Sequence, residues 1–256
     1  MTDWLHIQRS NTPLIVSVPH AGTQLPQAWA TGLLRPLALH DTDWFVDRLY
    51  ADAPATIIRT SISRSIIDVN RDPSGASLYP GQVTTGLCPE TTFAGEPLYG
   101  PDAEIDVPAR RTAFFDPYHA ALKAEISRLR ALHPVIVLYD AHSILSRAPR
   151  LFDGVLPQFN IGTYDGIACD PALGRTVAEC CGTDHVIDGR FKGGWITRHY
   201  GNPQNGVHAI QMELAMRGYC DEAIEPPQWH PQRAAMLQHK LQQVLSLCLD
   251  FAKVRA

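Results

Sequence analysis

Apolar positions along the chain follow two rhythms. Three short runs, Leu14-Ile15-Val16-Ser17-Val18, Ala55-Thr56-Ile57-Ile58-Arg59-Thr60 and Val135-Ile136-Val137-Leu138-Tyr139, are rich in β-branched residues and predict strands in a sheet. The first and third read as buried on both faces, as central strands are. Val207 to Leu214 alternates instead. His208, Ile210, Met212 and Leu214 share one face; Val207, Ala209, Gln211 and Glu213 share the other. Gln158 to Thr163 and Val186-Ile187 read as further short strands. Three- and four-residue spacing predicts a helix over 109–132, with Phe114, Phe115, Tyr118, Leu122, Ile126 and Leu129 on its core stripe and Pro117 as an early kink. Helices are also expected over 41–50, capped by Asp41 or Thr42 so that Asp43 sits in the first turn, over 172–181, and over 231–251. The last points Leu237, Leu241, Val244 or Leu245, and Cys248 inward. Pro73 to Pro108 has six prolines and no periodicity, the mark of a lid or binding loop. The resulting expectation is an α/β chain.

Composition narrows the class. At 256 residues the chain suits one large domain, or at most two, and no repeat or clear boundary divides 1–256, so a single domain is expected. Hydrophobic residues at 45% and charged residues at 19% are ordinary for a soluble enzyme. A formal charge of −4 with scattered arginines argues against nucleic acid, so any anion recognised is small and locally bound. No apolar run reaches the ~18 residues that span a membrane, and Met1-Thr2-Asp3-Trp4-Leu5-His6 lacks the basic flank and apolar core of a signal peptide. The six cysteines include no Cys-x-x-Cys pair. They are expected to be reduced thiols in a cytoplasmic protein.

Candidate chemistry sits where the strands stop. The third run breaks into Asp140-Ala141-His142-Ser143, a carboxylate and an imidazole that point the same way in an extended chain. Carboxyl ends of strands are where α/β sheets place ligands. The plainer reading makes Asp140 a turn cap and His142 a loop residue. His20 follows the first strand at Val18-Pro19, and Glu213 ends the alternating strand beside Gln211. Arg64, Asn70 and Arg71 frame Ile66 to Val69; two arginines and an amide can hold a carboxylate, or the arginines can pair with Asp68 or Asp72. Gly189 to Gly201 reads as a glycine-rich loop carrying Arg198 and His199. A phosphate cradle there is disfavoured, because the Walker spacing is missing and no helix start is expected. Two histidines and a carboxylate around an open position suit a catalytic zinc site, and a nearby unliganded glutamate suits a general base.

These segments together resemble the N-formylglutamate deformylase (N-formylglutamate amidohydrolase) family. The resemblance rests on Val16-Ser17-Val18-Pro19-His20-Ala21-Gly22-Thr23, Asp41-Thr42-Asp43-Trp44, Ser63 to Arg71, Asp140-Ala141-His142-Ser143, Phe191 to Tyr200 and Gln211-Met212-Glu213-Leu214, in order along nearly the whole chain. It implies a mixed central sheet flanked by helices, as in zinc carboxypeptidase-like hydrolases. The implied reaction is metal-dependent hydrolysis of N-formyl-L-glutamate to formate and L-glutamate, a last step of bacterial histidine degradation. Alternatives are a related amidase or peptidase acting on another N-acylated amino acid, or a non-catalytic amino-acid-binding protein. The implied metal ligands, for zinc above all, are His20, Asp43 and His142, with Asp140 orienting an imidazole and Glu213 activating water. Asn70-Arg71, with Arg64 and Arg198, would hold a small anionic N-acyl amino acid. One departure is plain: carboxypeptidases draw two ligands from His-x-x-Glu, whereas His20 is followed by Ala-Gly-Thr. The middle ligand must come from elsewhere, and Asp41 competes with Asp43 for it.

Overall fold

The computed structural model describes residues 3–255, so Met1 and Thr2 of the amino-terminal stretch lie outside the described residues. Its frame is a seven-stranded mixed sheet. The strands are β1 (Leu5–Gln8), β2 (Leu14–Val18), β3 (Thr56–Thr60), β4 (Ile136–Ile144), β5 (Phe159–Gly162), β6 (His185–Ile187) and β7 (Val207–Ala215), in the spatial order β1-β3-β2-β4-β7-β5-β6. From β3 through β2 and β4 to β7 all pairings are parallel, while β1 and β5 join antiparallel. A two-stranded ribbon, β8 (Cys220–Asp221) with β9 (Gln228–Trp229), lies apart.

Helices cover both faces, which is why the central strands read as almost uniformly apolar. One core packs Val137 and Tyr139 of β4 and Ile210, Met212 and Leu214 of β7 against two helices, α4 (Pro171–Cys181) and α6 (Pro231–Val254). The other packs Ile136 and Leu138 of β4 with Val207 and Ala209 of β7 under α3 (Asp116–Arg130). The expected inward residues Leu237, Leu241, Val244, Leu245 and Cys248 are all buried. All six cysteines are free thiols. Among the described residues no helix is long and apolar enough to cross a membrane.

Four expectations are corrected. The helix expected over 109–132 is composite: α2 (Val107–Arg110), a π turn over Arg111–Phe115, then α3. Widening the turn just before Pro117 relieves the clash its ring would make with the carbonyl four residues back. The helix expected over 41–50 shrinks to α1 (Val46–Leu49), because Phe45 takes a left-handed conformation (φ 60°) and halts the helix short of Asp43. The strand expected to end near Tyr139 runs on to Ile144, since β7 pairs with it residue for residue from Ile136↔Val207 to Ile144↔Ala215. Backbone pairing is indifferent to the polarity of Asp140 and His142. A helix start does follow Gly193-Gly194: α5 (Trp195–Tyr200) is a single short turn-and-a-half, too brief to leave a periodic signature. The stretch between β3 and α2 holds no helix or named strand, as its prolines predict.

Candidate active site and metal centre

Three parallel strands, β2, β4 and β7, bring their carboxyl ends side by side. On the β4–β7 face that begins with Ile136, Leu138, Val207 and Ala209, the next side chains are Asp140 and His142 opposite Gln211 and Glu213. The alternation that builds the apolar core therefore delivers four polar groups to one patch without changing register. His20 joins from just beyond β2, and the backbone N–H of Asp43 donates to the His20 carbonyl at 3.1 Å, clipping that turn to the strand end.

His20, Asp43 and His142 converge there, all buried, with one ligand atom each within 4.8 Å of the others. Nδ1 of His142 lies 3.2 Å and Nδ1 of His20 3.7 Å from the same Asp43 oxygen, Oδ2. Each imidazole is fixed from behind. His20 Nε2 donates to Asp68 Oδ1 at 2.7 Å, and His142 Nε2 lies 3.0 Å from Asp140 Oδ2. With Nε2 carrying the proton, His20 Nδ1 offers its lone pair to the centre; at His142 the Asn70 amide nitrogen also lies 2.9 Å from Nε2. His20 Nδ1 has no hydrogen-bond partner although it is buried, an unmet need that a cation would satisfy. Four buried carboxylates (Asp43, Asp68, Asp140, Glu213) face two guanidinium groups, Arg64 and Arg71, so the cluster has room for a divalent charge. The residues fit a metal ion.

Asp41 turns away from this centre. Its carboxylate takes His40 Nδ1 at 2.9 Å and the Phe93 backbone N–H at 2.7 Å, so Asp43 alone of the two reaches the histidines. Burial acts to raise the Asp43 carboxyl, but its contact with His142, the nearby His20 and the Arg64 charge outweigh it and hold the group well below its ordinary range. Asp68 is likewise held low by Arg71, His20 and Arg64 against its burial. Glu213 goes the other way: loss of water pushes it up to about 7, with Asp43 and Asp140 adding to the rise and His142 and Arg64 opposing it. Gln211 Nε2 donates to Glu213 Oε2 at 3.1 Å and anchors the side chain.

The anion-binding expectations divide. Arg64 is spent inside the protein, on Asp43 Oδ1 at 3.1 Å and Asp68 Oδ2 at 2.8 Å. Asn70 is a strut: its amide donates to Asp140 at 2.9 Å and accepts from the Ile196 N–H at 2.7 Å. Arg71 borders the cleft, 3.4 Å from Asp68. Arg198 is not brought to the cleft; it bonds the carbonyls of Gly193 (2.8 Å) and Leu78 (2.6 Å) and stacks over Tyr79 and Tyr164. The clamp role expected of it therefore has no geometric support. The cleft above His20, His142 and Glu213 is walled by Tyr79, Thr84, Thr85 and Phe93 of the proline-rich loop, and also by Arg150 and Arg190. Those two arginines, and the grip of Asp68 on His20, escaped sequence reasoning. The signal for Asp68 was present: a carboxylate set inside Ile66-Ile67-Asp68-Val69 is a buried one and needs partners.

Comparison with known proteins settles the lineage. The N-formylglutamate amidohydrolase family profile matches residues 12–220. The chain belongs to that family. An N-formylglutamate deformylase of Pseudomonas putida is 41% identical over 98% of this chain and 97% of its own, and one of Pseudomonas aeruginosa is 44% identical over 87% of each. The fold of this family member matches a crystal structure of N-formylglutamate amidohydrolase from Ralstonia eutropha, with TM-score 0.81, 21% identity and 99% coverage of both chains. It also matches an Agrobacterium tumefaciens protein at TM-score 0.73 and 16% identity, covering 98% of this chain and 96% of that one.

Proposed function

We propose that this protein is a metal-dependent amidohydrolase that cleaves N-formyl-L-glutamate to formate and L-glutamate, in the cytoplasm and within histidine degradation. The observation that carries the reading is the convergence of His20, Asp43 and His142 beside Glu213, in a family whose curated relatives are N-formylglutamate deformylases. A divalent ion held by those three residues, with zinc the natural fit to two imidazoles and a carboxylate, would polarise the formyl carbonyl and lower the pKa of water. Glu213 accepts the proton of the attacking water and returns it to the leaving amine. A carboxyl pushed up to about 7 can do both near neutral pH. Asp68 and Asp140 keep the two imidazoles aimed, and Arg71 at the cleft wall meets a substrate carboxylate.

The test couples metal analysis of the purified protein to formate release from N-formyl-L-glutamate, with and without a chelator. Stoichiometric metal and chelator-sensitive release are expected. Glu213→Gln should retain the metal and lose at least about a hundredfold in kcat, the usual scale of general acid–base catalysis. Metal-free protein with full activity, or Glu213→Gln with near-wild-type turnover, would overturn the reading.

A further inference from the structure

The arginines around the cleft are not equivalent. Arg64 has both arms on carboxylates, and Arg71 has Asp68 at 3.4 Å together with the Thr85 carbonyl and hydroxyl. Arg150 and Arg190 also line the cleft, yet among the described residues neither has a carboxylate within ion-pair distance. Arg190 is half-buried and held in place: Nε donates to the Leu151 carbonyl at 2.8 Å and Nη2 to the Val83 carbonyl at 3.0 Å, while Nη1 makes no bond among the described residues. Its guanidinium sits against the Tyr79 and Phe191 rings at 5.3 and 5.4 Å. Burial lowers its pKa and the Arg71 charge lowers it further, with Tyr79 and Glu213 acting in the opposite sense. Arg190 is thus a preorganised, half-buried fork with no carboxylate in ion-pair reach among the described residues, facing the same space as Glu213. Arg150 lies over Gly95 of the proline-rich loop and makes no side-chain hydrogen bond among the described residues.

An N-acyl amino acid with an acidic side chain carries two carboxylates, and one cation cannot serve both. Arg71, adjoining Asn70 and touching the carboxylate that grips His20, stands next to the reacting centre and suits the α-carboxylate. The second carboxylate needs a donor on another wall. We infer that Arg190, assisted by Arg150, receives the side-chain carboxylate and so selects dicarboxylic N-acyl amino acids over neutral ones. This rests on the hydrolytic reading above and names the determinant of its substrate class.

The experiment compares kcat/KM for N-formyl-L-glutamate and its neutral isostere N-formyl-L-glutamine in wild type, Arg190→Met and Arg150→Met. A charge-assisted, partly desolvated pair lost from one substrate should lower kcat/KM for N-formylglutamate on the order of 10–100-fold in Arg190→Met, mainly through KM. The value for N-formylglutamine should stay within about threefold, as no charge pair is lost there. Arg190 also ties Leu151 to Val83, so its replacement can loosen the wall. Arg150→Met removes no such tie and should shift the same ratio in the same direction by a smaller factor. An equal fall on both substrates in the variants, or an unchanged ratio, overturns this inference while leaving the hydrolytic reading intact. A wild type that releases formate from neither compound overturns both.

Discussion

The most exposed link in the proposed metal centre is Asp68, because His20 has no other partner to aim it. Asp68 is fully buried, and its two oxygens accept four donors: His20 Nε2 at 2.7 Å, Arg64 at 2.8 Å, the Asn70 backbone N–H at 2.9 Å and, more distantly, Arg71 at 3.4 Å. Asp68→Asn keeps the shape and one acceptor. The amide NH2 that replaces the other oxygen then faces either the His20 N–H or the Arg64 guanidinium, donor against donor. Breaking a buried ionic contact from one side costs about 3–5 kcal/mol. Set against a total stability of about 5–15 kcal/mol, the variant should still fold, with a clearly lowered denaturation midpoint. The larger diagnostic is the metal. Losing the acceptor that fixes an imidazole's tautomer typically weakens affinity about 10–100-fold, or ~1.4–2.8 kcal/mol. The assay is zinc titration against a chromophoric competitor, on protein first shown folded by circular dichroism, with His20→Ala as the floor. Zinc affinity within threefold of wild type in Asp68→Asn would refute the claim that this carboxylate aims a metal ligand.

Two further predictions use residues at the margin of the site. A Cβ on Gly194 would stand 2.5 Å from Nδ2 of Asn70, whose side chain cannot retreat because Nδ2 donates to Asp140 and Oδ1 accepts from the Ile196 N–H. Gly194→Ala should therefore disturb the support of His142 and cut kcat about tenfold or more by misplacing the centre, with metal content and kinetics as readout; unchanged kcat would refute it. His119 is packed on Phe115 with its ring nitrogens at the Val69 carbonyl (2.8 Å) and the Tyr200 hydroxyl (2.9 Å); burial, then the nearby His199, push its pKa down to about 4. The unfolded chain protonates at an ordinary histidine pKa near 6.5, so this residue's contribution is whole above that value, shrinks as pH falls, and levels off below about 4. The full loss is about 3 kcal/mol, read as the difference in urea stability between wild type and His119→Asn from pH 7.5 to pH 4. A difference that stays flat across that range would refute the assignment.

What the sequence revealed of this site follows the reach of each interaction. His142 and Glu213 were legible because strand alternation is local: i and i+2 share a face whatever the partner strand does, and the β4–β7 register only had to set the two pairs opposite each other. Asp41 and Asp43 have the same local parity, and nothing between them marks the ligand. The choice is made by a backbone bond from Asp43 to His20, 23 residues away in sequence, and by the Phe93 N–H that draws Asp41 aside. Asp68 was visible as a partner of Arg64 four residues before it, but its hold on His20 spans 48 residues and depends on where β2 ends. The arginines make the same point most sharply. Arg190 and Arg198 lie in one glycine-rich segment with no periodic signal between them, and of the two the resemblance implied only Arg198 for the clamp. The short helix α5 intervenes, leaving Arg198 beside the carbonyls of Gly193 and Leu78, whereas Arg190, still in the preceding loop, meets those of Leu151 and Val83 at the cleft. Composition cannot separate two such guanidinium groups. Only the carbonyls that each one finds after folding decide which serves the scaffold and which is left to face a ligand.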